Sequence, residues 1–245
     1  MDKVGLIFTT FNDKELLEKY LDSLWTTEYP FDLVVVDCNS TDGSKNFFRS
    51  WNLDTVLKMG PMQSCTVLEH DEYISLPQAL NQGISECLLP PPAPVFKLNS
   101  GRKPIDYIGW WHSDMKVTDP KWLGNLVEYL KTHPDVGRVA SSNLRDGVKE
   151  ERAGNELPCL WTRKLLEDLK ATDGYYFDEC YFELTYEDWD FLRRSINLGY
   201  KCMITPTSVV WHDGMGTRSK RDHGDAHRRN AAYYFKKWGT YDPPV

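Results

Sequence analysis

Three clusters of acidic and imidazole side chains have types and spacing that could do chemistry. His112-Ser113-Asp114 follows the apolar run Tyr107-Ile108-Gly109-Trp110-Trp111. A carboxylate there could bind a hard divalent cation such as Mg²⁺ or Mn²⁺, which prefers oxygen ligands and shares its shell with substrate phosphates. Equally, Asp114 could merely terminate a strand. Glu187-Asp188-Trp189-Asp190 opens a helix. Thr185-x-x-Asp188 is itself a capping-box pattern, the helix dipole favours acids in a first turn, and Asp190 can pair with Arg194 one turn on. A carboxylate at such a helix start is also well placed as a general base if the start faces a cleft. The third cluster, His212-Asp213-Gly214-Met215-Gly216, sets an imidazole beside glycines that let backbone approach a ligand closely. Downstream, residues 218–229 carry Arg218, Lys220, Arg221, Arg228 and Arg229 against Asp222 and Asp225. That stretch reads either as a clamp for a diphosphate or as a solvated loop.

Other chemistries find little support. There is no Gly-x-Gly-x-x-Gly, no Gly-x-x-x-x-Gly-Lys-Ser/Thr and no Gly-x-Ser-x-Gly, which argues against the standard dinucleotide, P-loop and serine-hydrolase sites. His223 and His227 lack the glutamate of a zinc-protease helix, and the six cysteines are scattered with no Cys-x-x-Cys, as expected of reduced thiols in a cytoplasmic protein. The 245 residues are 41% hydrophobic and 27% charged, enough to bury a large core without staples. The net charge of −7 disfavours nucleic acid as a partner, since phosphate neutralisation needs a basic face. No apolar run reaches transmembrane length, and the start has no signal-peptide pattern.

These clusters need elements to hold them. Val4–Thr9 and Leu33–Val36 read as buried strands, the second ending at Asp37. Between them Asn12-Asp13-Lys14-Glu15 resembles a capping box, opening a helix with Leu16, Leu17, Tyr20, Leu21, Leu24 and Trp25 on one face. A helix with Phe47, Phe48 and Trp51, weak strands near Thr55–Lys58 and Thr66–Glu69, and a helix from about Pro77 to Cys87 follow. Pro90-Pro91-Pro92-Ala93-Pro94 marks 88–105 as a surface insertion. Tyr107–His112 is the next strand, and Asp119-Pro120 starts a helix faced by Trp122, Leu123, Leu126, Val127 and Leu130. The second half is less regular: a helix around Trp161–Leu169, a polar-aromatic stretch Asp173–Tyr186, a helix Tyr186–Asn197 and a strand Cys202–Trp211. Such alternation predicts an α/β fold, with a mostly parallel central sheet flanked by helices and ligands gathered beyond the strands' carboxyl ends.

Four segments, in order, resemble inverting family 2 glycosyltransferases of the GT-A (Rossmann-like) fold. They are Val4–Asn12; Val34-Val35-Val36-Asp37-Cys38-Asn39-Ser40-Thr41-Asp42-Gly43-Ser44; Gly109–Met115 with Trp122-Leu123; and Phe177-Asp178-Glu179, Glu187–Phe191 with Arg194, Gly199-Tyr200 and Val210-Trp211-His212. The resemblance implies a single GT-A domain over 1–245, with a nucleotide-sugar half (1–116) and an acceptor and catalytic-base half (117–245). It implies that Thr9 and Asp37 hold the nucleobase and ribose, with Asn12, Asn81, His112 and Ser113 also on the nucleotide sugar and Arg218, Lys220 and Arg221 on its diphosphate. Asp114 and His212 would bind a divalent metal, Mn²⁺ or Mg²⁺. Asp188 would be the base, with Trp161, Glu187 and Trp189 facing the acceptor, although the aromatics between Trp161 and Trp189 could as easily be core. His112 stands where the family's DxD motif has its first acid. The chain also lacks the Gln-x-x-Arg-Trp segment and membrane spans of processive synthases.

The implied reaction is non-processive transfer of one sugar from a UDP- or dTDP-sugar to an acceptor hydroxyl on a glycan, glycoprotein or glycolipid. A lipid-linked acceptor would permit peripheral membrane association. Two rivals stand beside it. A sugar nucleotidyltransferase would show a Gly-rich basic loop where Thr9-Thr10-Phe11-Asn12-Asp13 stands. A catalytically inactive nucleotide- or carbohydrate-binding protein would show no metal-dependent turnover of a sugar nucleotide.

Overall fold

The computed structural model describes residues 1–49, 60–89, 104–145, 148–150, 158–183, 185–213 and 224–244, with backbone alone at 145 and 148–150. The chain begins with β1 (Val4–Thr10), α1 (Lys14–Tyr20), a 3₁₀ turn (Leu21–Thr26), β2 (Phe31–Asp37), α2 (Ser44–Arg49), β3 (Met62–Glu69) and α3 (Leu76–Leu88). Next come β4 (Tyr107–His112), β5 (Met115–Val117), α4 (Trp122–Thr132), β6 (Val136–Arg145), β7 (Val148–Glu150) and β8 (Cys159–Thr162). Then α5 (Arg163–Asp173), α6 (Glu187–Asn197), β9 (Lys201–His212) and α7 (Gly224–Trp238) complete it.

The described strands form one nine-stranded sheet in the order β3-β2-β1-β4-β8-β6-β9-β5, with β7 on β6. From β3 to β4 every pairing is parallel. Beyond β4 the sheet is mixed: β8 runs antiparallel to both β4 and β6, β6 is parallel to β9, and β5 is antiparallel to β9. Buried on both faces, the parallel strands send alternate side chains to two cores. Leu6, Phe8, Leu33, Val35 and Trp111 face Leu17 of α1 and Trp122, Leu123 and Leu126 of α4. Ile7, Val34, Val36, Ile108 and Trp110 face Leu80 and Ile84 of α3, Leu165 and Leu169 of α5 and Phe191 of α6. Each such aliphatic burial stabilises the fold by about 1.5–3 kcal/mol.

Several expectations are corrected. The helix expected at Trp161 begins at Arg163; Trp161 lies in β8, and Thr162 caps the helix by accepting the Leu165 N–H at 3.2 Å. The first helix tightens to 3₁₀ geometry at Leu21, and its N-cap, Asp13, makes no side-chain cap bond. Strands β5 to β8 were not foreseen. The expected strand at Thr55–Lys58, Trp51 and the proline run 90–94 lie outside the described residues. Among the described residues no helix is long and apolar enough to cross a membrane.

Candidate active site

Parallel register brings the sequence-predicted residues of the first half to one edge. Thr10 of β1 stands beside Asp37 of β2, and Thr9 beside His112 of β4. Asp37 is fully buried: its Oδ1 accepts the Ser40 N–H at 2.8 Å, and its Oδ2 has no hydrogen-bond partner among the described residues. A buried carboxylate oxygen without a donor is costly, so the fold carries a penalty that an N–H or O–H of a ligand would relieve. Asn12 takes a left-handed φ of 55°, its N–H bound to Ser40 Oγ at 2.9 Å and its Oδ1 accepting the Thr41 N–H at 2.7 Å. These bonds tie the loop after β1 to the loop after β2. The Thr9 hydroxyl accepts the Trp110 indole N–H at 3.1 Å.

The second cluster forms because β5 pairs with the far end of β9. Met115 stands opposite His212, and the Asp213 N–H donates to the Asp114 carbonyl at 3.0 Å. His212 Nε2 then lies 3.3 Å from Asp114 Oδ1, while the His212 N–H is held by Asn143 Oδ1 of β6 at 3.0 Å. One ligand atom from each of His112, Asp114 and His212 falls within 4.8 Å of the others. Trp110 packs against the His112 ring at 3.8 Å between centroids, and Ser113 between the ligands is buried. Two cis ligands at about 2.1 Å from a six-coordinate ion stand about 3.0 Å apart, so the Asp114–His212 spacing fits a divalent cation. A carboxylate with two imidazoles is a donor set that Mn²⁺ accepts.

The acidic helix start is α6. Its N-cap, Tyr186, has a φ of 68° and makes no side-chain cap bond, and Glu183 and Thr185 are also left-handed at 69° and 91°. Such a conformation is costly for a β-branched residue. The capping box expected of Thr185 is not built, because its buried Oγ1 has no hydrogen-bond partner among the described residues. Asp190 is fully buried and receives Arg194 Nε at 2.7 Å, the expected helix pair, along with the Tyr181 hydroxyl at 3.2 Å and the Trp238 indole at 2.9 Å. Glu187 is 1% exposed. Of the first-turn acids, Asp188 alone keeps partial exposure.

Other expected residues find different settings. Trp161 is buried and packs on Phe177 at 5.7 Å and Phe191 at 5.6 Å. The half-buried Trp189 packs on Tyr186 at 5.1 Å. Asn81 spends its amide on structure, donating to Phe177 O at 2.9 Å and Glu179 Oε1 at 2.8 Å and accepting the Phe177 N–H at 2.8 Å. It thereby fastens α3 to the loop leading to α6. Arg218, Lys220 and Arg221 lie outside the described residues. An aromatic chain, Phe11–Tyr73 at 5.0 Å and Tyr73–Phe182 at 6.1 Å, brings the loop after β1 next to the loop before α6. Sequence reasoning missed Asn143, whose part depends on a backbone N–H supplied by a distant strand. Burial raises the Cys65 and Cys202 thiols to about 11 and lifts those of Cys38 and Cys87 further, which suits structural cysteines rather than nucleophiles.

Residues 6–182 match the family model described as Glycosyl transferase family 2. No curated protein sequence matches the chain. Solved structures share the fold. A Pyrobaculum calidifontis mannosyltransferase in complex with GDP-Man and Mn²⁺ is 22% identical with a TM-score of 0.67, over 99% of this chain and 66% of that one. S. aureus TarS 1–349 in complex with UDP-GlcNAc is 14% identical with a TM-score of 0.61, over 95% of this chain and 66% of that one. Glucosyl-3-phosphoglycerate synthase from Mycobacterium tuberculosis, with Mn²⁺, UDP and glucosyl-3-phosphoglycerate, is 15% identical with a TM-score of 0.59, over 100% of this chain and 82% of that one. The chain therefore spans just under two thirds of the mannosyltransferase it resembles.

Proposed function

The chain belongs to glycosyl transferase family 2, and from that premise we propose that it is a non-processive inverting glycosyltransferase that moves one sugar from a nucleoside-diphosphate donor to an acceptor hydroxyl. The observation that carries this reading is the His112, Asp114 and His212 cluster at the carboxyl edge of the sheet. Asp37 Oδ2, awaiting a donor at that edge, supports a base or ribose contact there. Structural neighbours with bound UDP-GlcNAc or GDP-Man and Mn²⁺ support the same donor class.

His112, Asp114 and His212 would hold the divalent cation, which when bound neutralises the charge that develops on the departing diphosphate. Arg218, Lys220 and Arg221 supply further positive charge by sequence. Asp188 takes the acceptor hydroxyl's proton while the oxygen attacks the anomeric carbon on the face opposite the diphosphate, which inverts the configuration. Glu187 and Trp189 flank it on the acceptor side. General-base help of this kind is worth about 10²–10⁴-fold in rate.

The experiment has two steps. Thermal unfolding with UDP, dTDP, GDP or ADP, each with and without Mn²⁺, identifies the nucleotide, since a ligand at a hundredfold excess over its Kd adds about 2.7 kcal/mol of stability. Release of nucleoside diphosphate from UDP-glucose, UDP-N-acetylglucosamine, dTDP-glucose and GDP-mannose then measures turnover. A Mn²⁺-dependent rate that Asp188→Asn lowers by about 10²–10⁴-fold, with the nucleotide shift intact, is the expected result. Nucleotide binding without turnover of any donor would favour the binding-protein alternative.

A further inference from the structure

The first turn of α6 is gripped from outside its own helix by residues some forty or more positions further along the chain. The grip comes from α7, at its middle and at its C-terminal end. At its middle, Asn230 is 2% exposed, and its Nδ2 donates at 3.1 Å to the carbonyls of both Phe182 and Thr185. One carbonyl immediately precedes Glu183 and the other belongs to Thr185, and both of these residues have a left-handed φ. At its end, Lys237 Nζ lies 2.9 Å from Asp190 Oδ1, 2.7 Å from Asp178 Oδ2 and 3.0 Å from the Tyr175 hydroxyl. The neighbouring Trp238 indole donates to the same Asp190 oxygen at 2.9 Å. Asp190 is two residues beyond Asp188 on α6 and has no exposure of its own.

We propose that Asn230 and Lys237 are positioning residues for the transfer reaction, which hold the first turn of α6 so that Asp188 meets the acceptor hydroxyl. The inference rests on the reading of Asp188 as base. Two features argue for positioning beyond simple cohesion. The backbone before α6 is held in a conformation costly for Thr185, and Asn230 grips it at that residue. Asp190, fully buried in that first turn, is held by a lysine from another helix as well as by its own Arg194. A displacement of about 1 Å at such a group can cost about 10²-fold in rate while leaving donor binding untouched.

A double-mutant cycle tests it, with nucleoside diphosphate release measured on whichever of the four donors above the wild type turns over fastest. Lys237→Met is expected to lower turnover about 10²-fold in the wild-type background and less than about threefold in the Asp188→Asn background, because residues acting as a unit are non-additive. Lys237→Arg restores most of the rate, and the thermal shift given by Mn²⁺ with the nucleotide stays at its wild-type value. Hydrogen exchange should quicken in residues 187–192 and not in β1 or β2. The same fold-loss in both backgrounds would overturn the proposal while leaving the base assignment intact. Full turnover by Asp188→Asn would overturn the base assignment and the proposal with it. If Lys237→Met does not fold, Asn230→Ala carries the same cycle.

Discussion

Asp37 and His112 show how far single side chains can be argued. Asp37 keeps one oxygen bonded to Ser40, while the other is buried with no hydrogen-bond partner among the described residues, so its charge is tolerated by the fold more than used by it. Asp37→Asn keeps an acceptor for the Ser40 N–H and removes a buried charge. Its melting temperature should match or exceed the wild type's while the shift given by UDP, dTDP or GDP with Mn²⁺ collapses. A large drop in melting temperature with the nucleotide shift preserved would show Asp37 to be structural. His112 puts a second imidazole where an oxygen ligand would favour Mg²⁺. Mn²⁺ alone should therefore raise the melting temperature more than equimolar Mg²⁺, and His112→Ala should weaken Mn²⁺ binding by about tenfold or more. Equal shifts from the two ions in the wild type would remove His112 from the ligand set. These residues were legible in the sequence because each follows an apolar run that announces a strand end. Asn143, Asn230 and Lys237 were not, since their partners are backbone groups or acids far along the chain.

At the scale of elements, α7 is fastened by ions as well as by its buried Ala226 and Tyr234. Lys237 joins Asp178 to Asp190, and Arg194 joins Asp190 to Asp173 at 3.1 Å. Burial pushes the Asp178 carboxyl up, but the Lys237 ammonium, the Cys180 N–H and the Tyr233 hydroxyl outweigh it and hold the group below its ordinary range. Burial likewise opposes charge on Lys237, and its two carboxylates reverse that and hold its pKa above the ordinary value. A depressed acid contributes stability that is complete above its unfolded value of about 3.9 and is lost as pH falls through the folded value. A raised lysine contributes fully below about 10.4 and loses its part as pH rises through the folded value. Urea unfolding should thus show the wild type well above Lys237→Met at pH 7, with the gap narrowing below about pH 4. A gap that stays constant to pH 3 would mean that the pair adds no charge-dependent stability. The sequence disclosed α6 and β9 almost to the residue, α6 between its first-turn acids and Gly199 and β9 as a β-rich run leading to His212. It hid β6, the strand between β8 and β9, because Ser141, Ser142 and Asn143 look like loop. They are buried, and bond to Ser208 Oγ at 2.7 Å, Thr205 O at 3.0 Å and the His212 N–H at 3.0 Å.

The whole molecule is one sheet with a seam at β4, where the parallel run ends and antiparallel β8 begins. The chain reaches His112 along that strand, between β1 and β8. Gly109 sits opposite both Leu6 and Leu160. An added Cβ would come 2.6 Å from Leu6 Cδ2 and 2.7 Å from Leu160 Cδ2, with the Cys159 carbonyl at 3.0 Å. Both leucines are fully buried in the same core. Overpacking of this kind costs about 1–3 kcal/mol, and a chain of this size loses about 2–4 °C per kcal/mol. Gly109→Ala should therefore melt about 2–12 °C lower. Because His112 lies three residues on, at the far end of the strand, the thermal shift from Mn²⁺ with nucleotide should persist. That signature is the reverse of Asp37→Asn, which keeps stability and loses the ligand. The two variants, run side by side in one thermal scan, separate the residues that build the sheet from those that the sheet presents. An unchanged melting temperature for Gly109→Ala would mean that the seam gives way more readily than its packing implies, while loss of the nucleotide shift would mean that strand spacing at β4 sets the site directly.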